Sequence, residues 1–376
     1  MQNIKNKLLD KAGDKMLRAH NVDTLRTGMK VGRNVLDLDG KVIIKSGVVL
    51  TADLIQSLNG KNVFSVYIDV PEEEIHADLV GNEYLLDGDY VERYKKTYSR
   101  VQNIYYKLGR ENVLELADLE YILDQENIKE LCDGATAVSQ IHNMTRDGDY
   151  IIHHATNVGI LAGLMAKWMR TSWEKTRELV MAGLLCNVGK MKVPREILDK
   201  TGKLDPEELE KIKNHPGYGY DLLKTTELKK YNDVLLAVLQ YHERCDGSGY
   251  PNRLKEDAIC DYAKIAAVLD IYDAMAANRS YAKRNSPFDV FKILYDDVLK
   301  GKLDTKYSIM FISNLCHSLQ GNWVGLSNGQ RAKIVYINES RITAMPIVQT
   351  TKGEFFDLNI KSDIKIEALL TANEVN

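Results

Sequence analysis

The spacing of apolar residues changes character along the chain and divides it into segments. Over residues 1–20, Ile4, Leu8, Leu9, Ala12 and Met16 recur at helical spacing and predict a helix. From residue 24 to 70 the period shortens, with β-rich runs at Val31–Leu38, Lys41–Ile44, Val48–Leu50 and Val63–Ile68. Asp39-Gly40 between two apolar runs is a hairpin signal. One helix is predicted at Thr51–Leu58, with Thr51 as its N-cap. Residues 1–70 thus make a small N-terminal α/β module.

Pro71 followed by Glu72, Glu73 and Glu74 marks a boundary. Residues 71–145 form a helical connector, rich in charge and tyrosine. Its stripe of Tyr90, Tyr94, Tyr98, Val101, Ile104, Tyr105 and Leu108 is predicted to pack on the next domain or on a second chain, as a homodimer seam. Residues 146–320 are almost wholly helical in pattern. Residues 321–376 return to strands, at Ala332–Ile337, Ile342–Val348, Phe355–Leu358 and Ile364–Leu369, with turns at Ser327-Asn328-Gly329 and Lys352-Gly353. They read as a small C-terminal β domain, and the protein as a whole is mainly α.

Composition narrows the classes. A chain of 376 residues with 44% hydrophobic content suits a globular protein of two or three domains. A net charge of −3 gives no basic field for nucleic acid. No run approaches the roughly 18–20 apolar residues of a membrane span. The N-terminal stretch MQNIKNKLLDKAGDKMLRAH lacks the apolar core of a signal peptide. The five cysteines, Cys132, Cys186, Cys245, Cys260 and Cys316, are scattered, which predicts reduced thiols and a cytoplasmic protein.

The chemistry-bearing residues lie in the helical region. His154 follows Asp149 on a helix whose Val158, Leu161, Met165 and Trp168 fall on the same face, so it points inward. Next comes Gly183-Leu184-Leu185-Cys186-Asn187-Val188-Gly189-Lys190, an apolar helix ending in a tight turn. Then follow Ile197-Leu198-Asp199-Lys200-Thr201-Gly202-Lys203-Leu204, His215-Pro216, and Tyr241-His242-Glu243-Arg244-Cys245-Asp246-Gly247-Ser248-Gly249-Tyr250-Pro251. Asp270-Ile271-Tyr272-Asp273-Ala274 and Asn278-Arg279 close the series.

In order and spacing, over residues 146–300, this series resembles the HD-GYP family. The resemblance implies a helical HD-superfamily bundle flanked by the two small modules. It also implies cleavage of cyclic di-GMP at a centre of two or three metals, often iron or manganese. The family's ligands are a His on the first helix, a His-Asp pair, a later His, a His-His pair and a final Asp. His154, His215, His242 and Asp270 match ligand positions, whereas Cys186 and Asn187 stand at the His-Asp pair and Tyr241 at the first His of the His-His pair. By the same resemblance Lys190 faces phosphate, Gly249, Tyr250 and Pro251 form the namesake loop, and Arg279 reaches guanine or phosphate.

The departures bear on the metal bridge. Two divalent ions roughly 3.5 Å apart repel by about 19 kcal/mol at an effective dielectric of about 20. Anionic bridges offset this, and Asn187 offers only a neutral oxygen. The pairs His154–Asp270 and His215–His242 each supply two ligands where catalytic sites use about three. Cys186 is either a thiolate completing a single site for zinc or ferrous iron, or a small buried filler. The cofactor expectation is therefore none, or one divalent ion: iron, manganese or zinc. The expected function is that of a degenerate HD-GYP protein without normal phosphodiesterase activity. It would act by binding cyclic di-GMP or a signalling protein such as a diguanylate cyclase or a response regulator. The alternatives are an active cyclic-di-GMP phosphodiesterase with an atypical, mononuclear site, giving pGpG or GMP, and a hydrolase of another phosphoester.

Overall fold

A computed structural model describes residues 16–21, 25–36, 42–58, 65–70, 88–132, 137–138, 141, 149–200, 202–276, 286–338 and 341–370. The chain divides into two units, Met1–Tyr84 and Leu85–Asn376.

In the first unit β1 (Met16–Asn21) pairs antiparallel with β5 (Ser65–Val70), which also pairs with β2 (Lys30–Val31). A separate hairpin joins β3 (Val35–Leu36) to β4 (Val42–Ile44). The predicted Asp39-Gly40 turn between them lies outside the described residues, as do the Pro71–Glu74 boundary and residues 1–15 of the predicted N-terminal helix. The described end of that predicted helix, Met16–His20, is strand. Its six-residue ladder to β5 supplies backbone partners that a helical reading of five apolar positions could not see. α1 (Ala52–Leu58) begins one residue after Thr51, whose hydroxyl accepts from the Leu54 N–H at 3.3 Å, as a cap should. Val31, Leu50, Leu58, Val66 and Ile68 form this unit's own core.

The second unit opens with three helices, α2 (Gly88–Glu111), α3 (Leu116–Ile122) and α4 (Gln125–Leu131). Then come α5 (Tyr150–Trp168) and α6 (Trp173–Leu185), followed by a 3-10 turn (Val188–Lys192). α7 (Arg195–Leu198), α8 (Pro206–Lys213), α9 (His215–Leu223) and α10 (Asn232–Gln240) lead to α11 (Asp261–Ala276), α12 (Pro287–Leu299) and α13 (Thr305–Ser318). Among the described residues, no helix is long and apolar enough to cross a membrane.

α5 is the axis of this unit. Every residue from Ile151 to Ala166 is buried, so the helix has no solvent face and is surrounded by others. Asp149 caps it, its Oδ1 accepting from the Ile151 N–H at 2.9 Å. The tyrosine stripe of α2 faces this same core: Tyr94, Tyr105, Ile104 and Leu108 are fully buried within the chain. It therefore packs on the chain's own helical core, the first of the two expected partners.

The C-terminal segment forms a five-stranded antiparallel sheet in the order β10-β6-β7-β8-β9, from β6 (Trp323–Leu326), β7 (Arg331–Tyr336), β8 (Ile347–Thr350), β9 (Phe355–Asp357) and β10 (Ile366–Leu369). β6 is additional to the four predicted strands. β8 begins only after Pro346, which has no N–H for the ladder, so the predicted start at Ile342 is too early. Val324, Leu326, Ala332, Ile334 and Val348 join the helices in one continuous core.

The 3-10 turn meets α9 closely. A Cβ on Gly189 would overlap the His215 carbonyl and lie 2.5 Å from the Gly219 nitrogen, both backbone atoms that cannot swing aside. Gly217, by contrast, has open space around its Cα. Gly189→Ala is expected to lower stability by about 3 kcal/mol or more in urea unfolding, and Gly217→Ala to be neutral or to raise it by about 0.5–1 kcal/mol. Equal effects would show that the turn does not rest on α9 as described.

Candidate functional site

The site grows from three places where the backbone is constrained. α5 carries His154 in its second turn. α6 ends at Leu185 and hands over Cys186 and Asn187 to the 3-10 turn that bears Lys190. α10 ends at Gln240 and delivers Tyr241 and His242 into the loop of Gly249, Tyr250 and Pro251. α11 passes behind all of them with Asp270 and Asp273, two residues on neighbouring turns.

His154 is 2% exposed and sits between two carboxylates. Its Nε2 is 2.8 Å from Asp270 Oδ1 and its Nδ1 2.7 Å from Asp273 Oδ2. Both partners are acceptors, so both ring nitrogens carry protons and His154 is an imidazolium. Burial works against that charge, but the hydrogen bonds and charges of Asp270 and Asp273 outweigh it and raise the pKa. Burial likewise opposes the charge on Asp270, yet the hydrogen bond and charge of His154 hold its carboxyl far below the usual range.

Asp270 Oδ1 also accepts from Asn187 Nδ2 at 3.1 Å. Asn187 Oδ1 lies 3.2 Å from the Tyr241 hydroxyl, which is in short contact with His215 Nε2. His215 Nδ1–H donates to the Ile212 carbonyl, so its Nε2 is a bare acceptor. The single phenolic proton of Tyr241 therefore faces two acceptors, and the shorter contact, to His215, takes it. The Tyr241 phenol is wholly buried, and burial with the Asp270 charge raises its pKa well above 10.0.

Cys186 is fully buried and donates its S–H to the Gly183 carbonyl at 3.2 Å. Burial first, and the Asp270 charge second, push its thiol up, so it is neutral. Among the described residues, no three His, Cys, Asp or Glu side chains are grouped so as to hold one ion.

His242 is sandwiched between Tyr241 and Tyr250, with ring centroids 4.0 and 4.6 Å away. Its ring also meets His215 edge-on at 5.1 Å. One face of Tyr250 is thus covered by His242. The loop is held from beneath by Glu243, 3% exposed, whose carboxylate accepts from the N–H groups of Asn252 at 2.7 Å and Leu254 at 2.9 Å. A Cβ at Gly249 would overlap Arg244 N and Glu243 Cα, which explains the glycine. Lys190 is half-buried, close enough for its charge to act on His215, His242 and Asp270. Arg279 lies outside the described residues.

Four contributors were not singled out in the sequence. Asp273 holds His154. Asn157 Nδ2 donates to Asp273 Oδ1 at 2.9 Å, and Tyr94 of α2 donates to Asn157 Oδ1 at 2.8 Å. His153 is buried, packs on the Tyr98 ring at a tilt with centroids 4.3 Å apart, and lies 3.0 Å from the Tyr94 hydroxyl. For Asn157 the available signal was its position, three residues after His154 on one helix face. Tyr94 had none beyond its apolar stripe.

The two halves of the site respond to pH with opposite sign. Burial and the Lys190 charge lower the His215 pKa to about 3, and burial carries His242 well below 6.5. The unfolded imidazoles titrate near 6.5, so this pair's contribution to stability is complete above about 6.5 and is lost as pH falls. The His154 contribution is complete below about 6.5 and is lost as pH rises through its raised folded value. Urea-unfolding free energy is expected to fall from pH 6.5 to 5, with His215→Gln shallower by up to about 1.4 kcal/mol per pH unit. An identical slope in the variant would mean that His215 is not held neutral.

Residues 138–306 match the HD domain family. The cyclic di-GMP phosphodiesterase response regulator RpfG of Xanthomonas campestris is 40% identical over 121 residues, 32% of each chain. A cyclic di-GMP phosphodiesterase of Thermotoga maritima is 37% identical over 150 residues, 40% of each chain. The cyclic di-GMP phosphodiesterase PdeB of Borreliella burgdorferi is 29% identical over 237 residues, 60% of this chain and 62% of that protein. The matched stretches thus span between 32% and 62% of these relatives' own length. Among solved structures, an HDG"Y"P protein from Bdellovibrio bacteriovorus aligns with a TM-score of 0.48 and 19% identity, over 78% of this chain and 98% of that one. With the motif order of His154, Lys190, His215, His242, the Gly249–Pro251 loop and Asp270, residues 138–306 are an HD domain of the HD-GYP family.

Proposed function

We propose that this protein is a receptor for a cyclic dinucleotide of the cyclic di-GMP kind, which it binds without hydrolysing, and that it signals through a protein partner. The observation that carries this reading is the closure of the donor set on itself. The imidazolium of His154 has no lone pair to offer a metal. The Nε2 lone pair of His215 is taken by the Tyr241 hydroxyl. Asp270 Oδ1 accepts from both His154 and Asn187. Cys186 keeps its proton in an apolar setting. These donors do not fit a dinuclear hydrolytic centre: the bridging carboxylate is an amide at Asn187, and Tyr241 fills the space between the half-sites with a neutral phenol.

Lys190, His242 and the Tyr250 loop support the binding reading. Lys190 supplies a positive charge beside His242, suited to a phosphodiester. His242 is neutral, and neither ring nitrogen hydrogen-bonds to any described residue, so both are available to a ligand. The loop of Tyr250 is preformed by Glu243 rather than left to order on binding, which lowers the cost of association. The relatives named above carry cyclic di-GMP in their names, which fits this ligand class.

Calorimetric titration of the full chain, purified without chelators, with cyclic di-GMP is the test. Saturable one-site binding is expected, with metal content well below one equivalent and no pGpG or GMP after prolonged incubation. Lys190→Ala is expected to weaken binding roughly tenfold, as loss of one charge-assisted contact of about 1.4 kcal/mol. Stoichiometric iron, manganese or zinc with linear release of pGpG would establish the hydrolase instead. Absence of any nucleotide binding would leave a protein-interaction role.

A further inference from the structure

The connector helix α2 lies before the matched HD region in sequence, yet it touches two of the segments that bear the site, α5 and the turn from Leu184 to Lys192. Tyr98 accepts a hydrogen bond from the Asp149 N–H at 3.0 Å, at the cap of the helix that carries His154. Tyr105 donates to the Leu184 carbonyl at 2.7 Å, in the turn before Cys186 and Asn187. Lys192, at the end of the 3-10 turn of Lys190, donates back to the Gly109 carbonyl at 2.8 Å and to Asn112 Oδ1 at 3.0 Å.

The deepest contact is Tyr94, fully buried. Its one proton goes to Asn157 Oδ1, an atom that can only accept, so the Tyr94 oxygen receives the Nδ1–H of His153. The direction of donation is then fixed along the line. Asn157 Nδ2 donates to Asp273 Oδ1, and Asp273 Oδ2 accepts from His154 Nδ1. Asn157 gives its oxygen to Tyr94 and its amide N–H to Asp273, and Asp273 accepts from Asn157 with one oxygen and from His154 with the other. All four side chains from Tyr94 to His154 are at most 2% exposed, so water cannot replace a lost partner at low cost.

We propose that Tyr94 is a positioning residue of the candidate site, acting on His154 through Asn157 and Asp273. A shift of α2 along its axis moves the Tyr94 hydroxyl relative to Asn157. Asp273 must then reorient or lose a partner, and His154 and Asp270 move with it. The ligand in this inference rests on the function proposed above; the link from Tyr94 to His154 does not.

Two readouts on the full chain separate these. Tyr94→Phe removes only the hydroxyl. Tyr90→Phe, one turn earlier on α2, removes a hydroxyl that reaches the Leu131 carbonyl on α4 instead, and serves as the control. In side-chain nitrogen NMR of histidine-labelled protein, Tyr94→Phe is expected to displace or exchange-broaden the His154 imidazole N–H signals, with Tyr90→Phe leaving them in place. Affinity for cyclic di-GMP is expected to fall roughly tenfold in the first variant and less than about twofold in the second, with similar losses in Tm. Asn157→Leu, which breaks the same line one link further on, is expected to reproduce the His154 change and keeps the inference testable should Tyr94→Phe not fold. Unchanged His154 signals in a folded Tyr94→Phe or Asn157→Leu protein would overturn it. If the unaltered protein binds no cyclic di-GMP, the receptor reading fails alone and the NMR comparison still decides this one.

Discussion

A histidine clamped between two buried carboxylates is the constraint around which the HD domain is arranged. His154 comes from α5, and Asp270 and Asp273 come from α11, more than a hundred residues later in the chain. Taking such charges out of water costs several kcal/mol each unless every lone pair and proton finds a partner. Here Asn157 and Asn187 complete the arrangement by donating to Asp273 and Asp270. The ion cluster therefore fixes the relative rotation of α5 and α11 and, through Asn187, the end of α6. It adds more to uniqueness of packing than to net stability, because the desolvation it requires consumes most of its Coulombic gain.

The other half of the site is of a different physical kind. His215, Tyr241 and His242 are neutral and packed ring against ring, with the Tyr241 hydroxyl bonded to His215. Tyr241 joins the two halves by contacting Asn187 and His215 at once. The phenol of Tyr241 and the amide of Asn187 thus lie within hydrogen-bond distance of each other, 3.2 Å apart. The rim beyond them is stiffened by Glu243, whose carboxylate collects two backbone N–H groups of the Tyr250 loop. His154, Asn187, His215, Tyr241 and Asp270 are buried, whereas His242 and Lys190 are partly exposed.

Much of this was legible in the residue order. The helical period of 146–320, the strand period after 321 and the Thr51 cap all follow from local rules that the structure obeys. Where tertiary pairing supplied the decisive hydrogen bonds, local rules failed. Met16–His20 has helical spacing but lies in a ladder with β5, and the four residues of β6 are interrupted by Gly325, which weakens their strand pattern. The stripe of α2 was read correctly as apolar. Its partner, the chain's own core, could not be known from spacing.

The site divides along the same line. Sequence alone set which groups are present: an amide at 187, a thiol at 186, a phenol at 241, and the imidazoles and carboxylate at His154, His215, His242 and Asp270. Side-chain chemistry is a property of the residue and needs no coordinates. Tertiary structure alone decided their protonation and partners. His154 became a cation and His215 a neutral acceptor, though both are histidines, because one faces two carboxylates and the other a carbonyl and a phenol. It also drew in Asp273, Asn157 and Tyr94, which are ordinary residues in sequence. Burial and neighbouring charge set the state of a titratable group, and both depend on segments that only folding brings together.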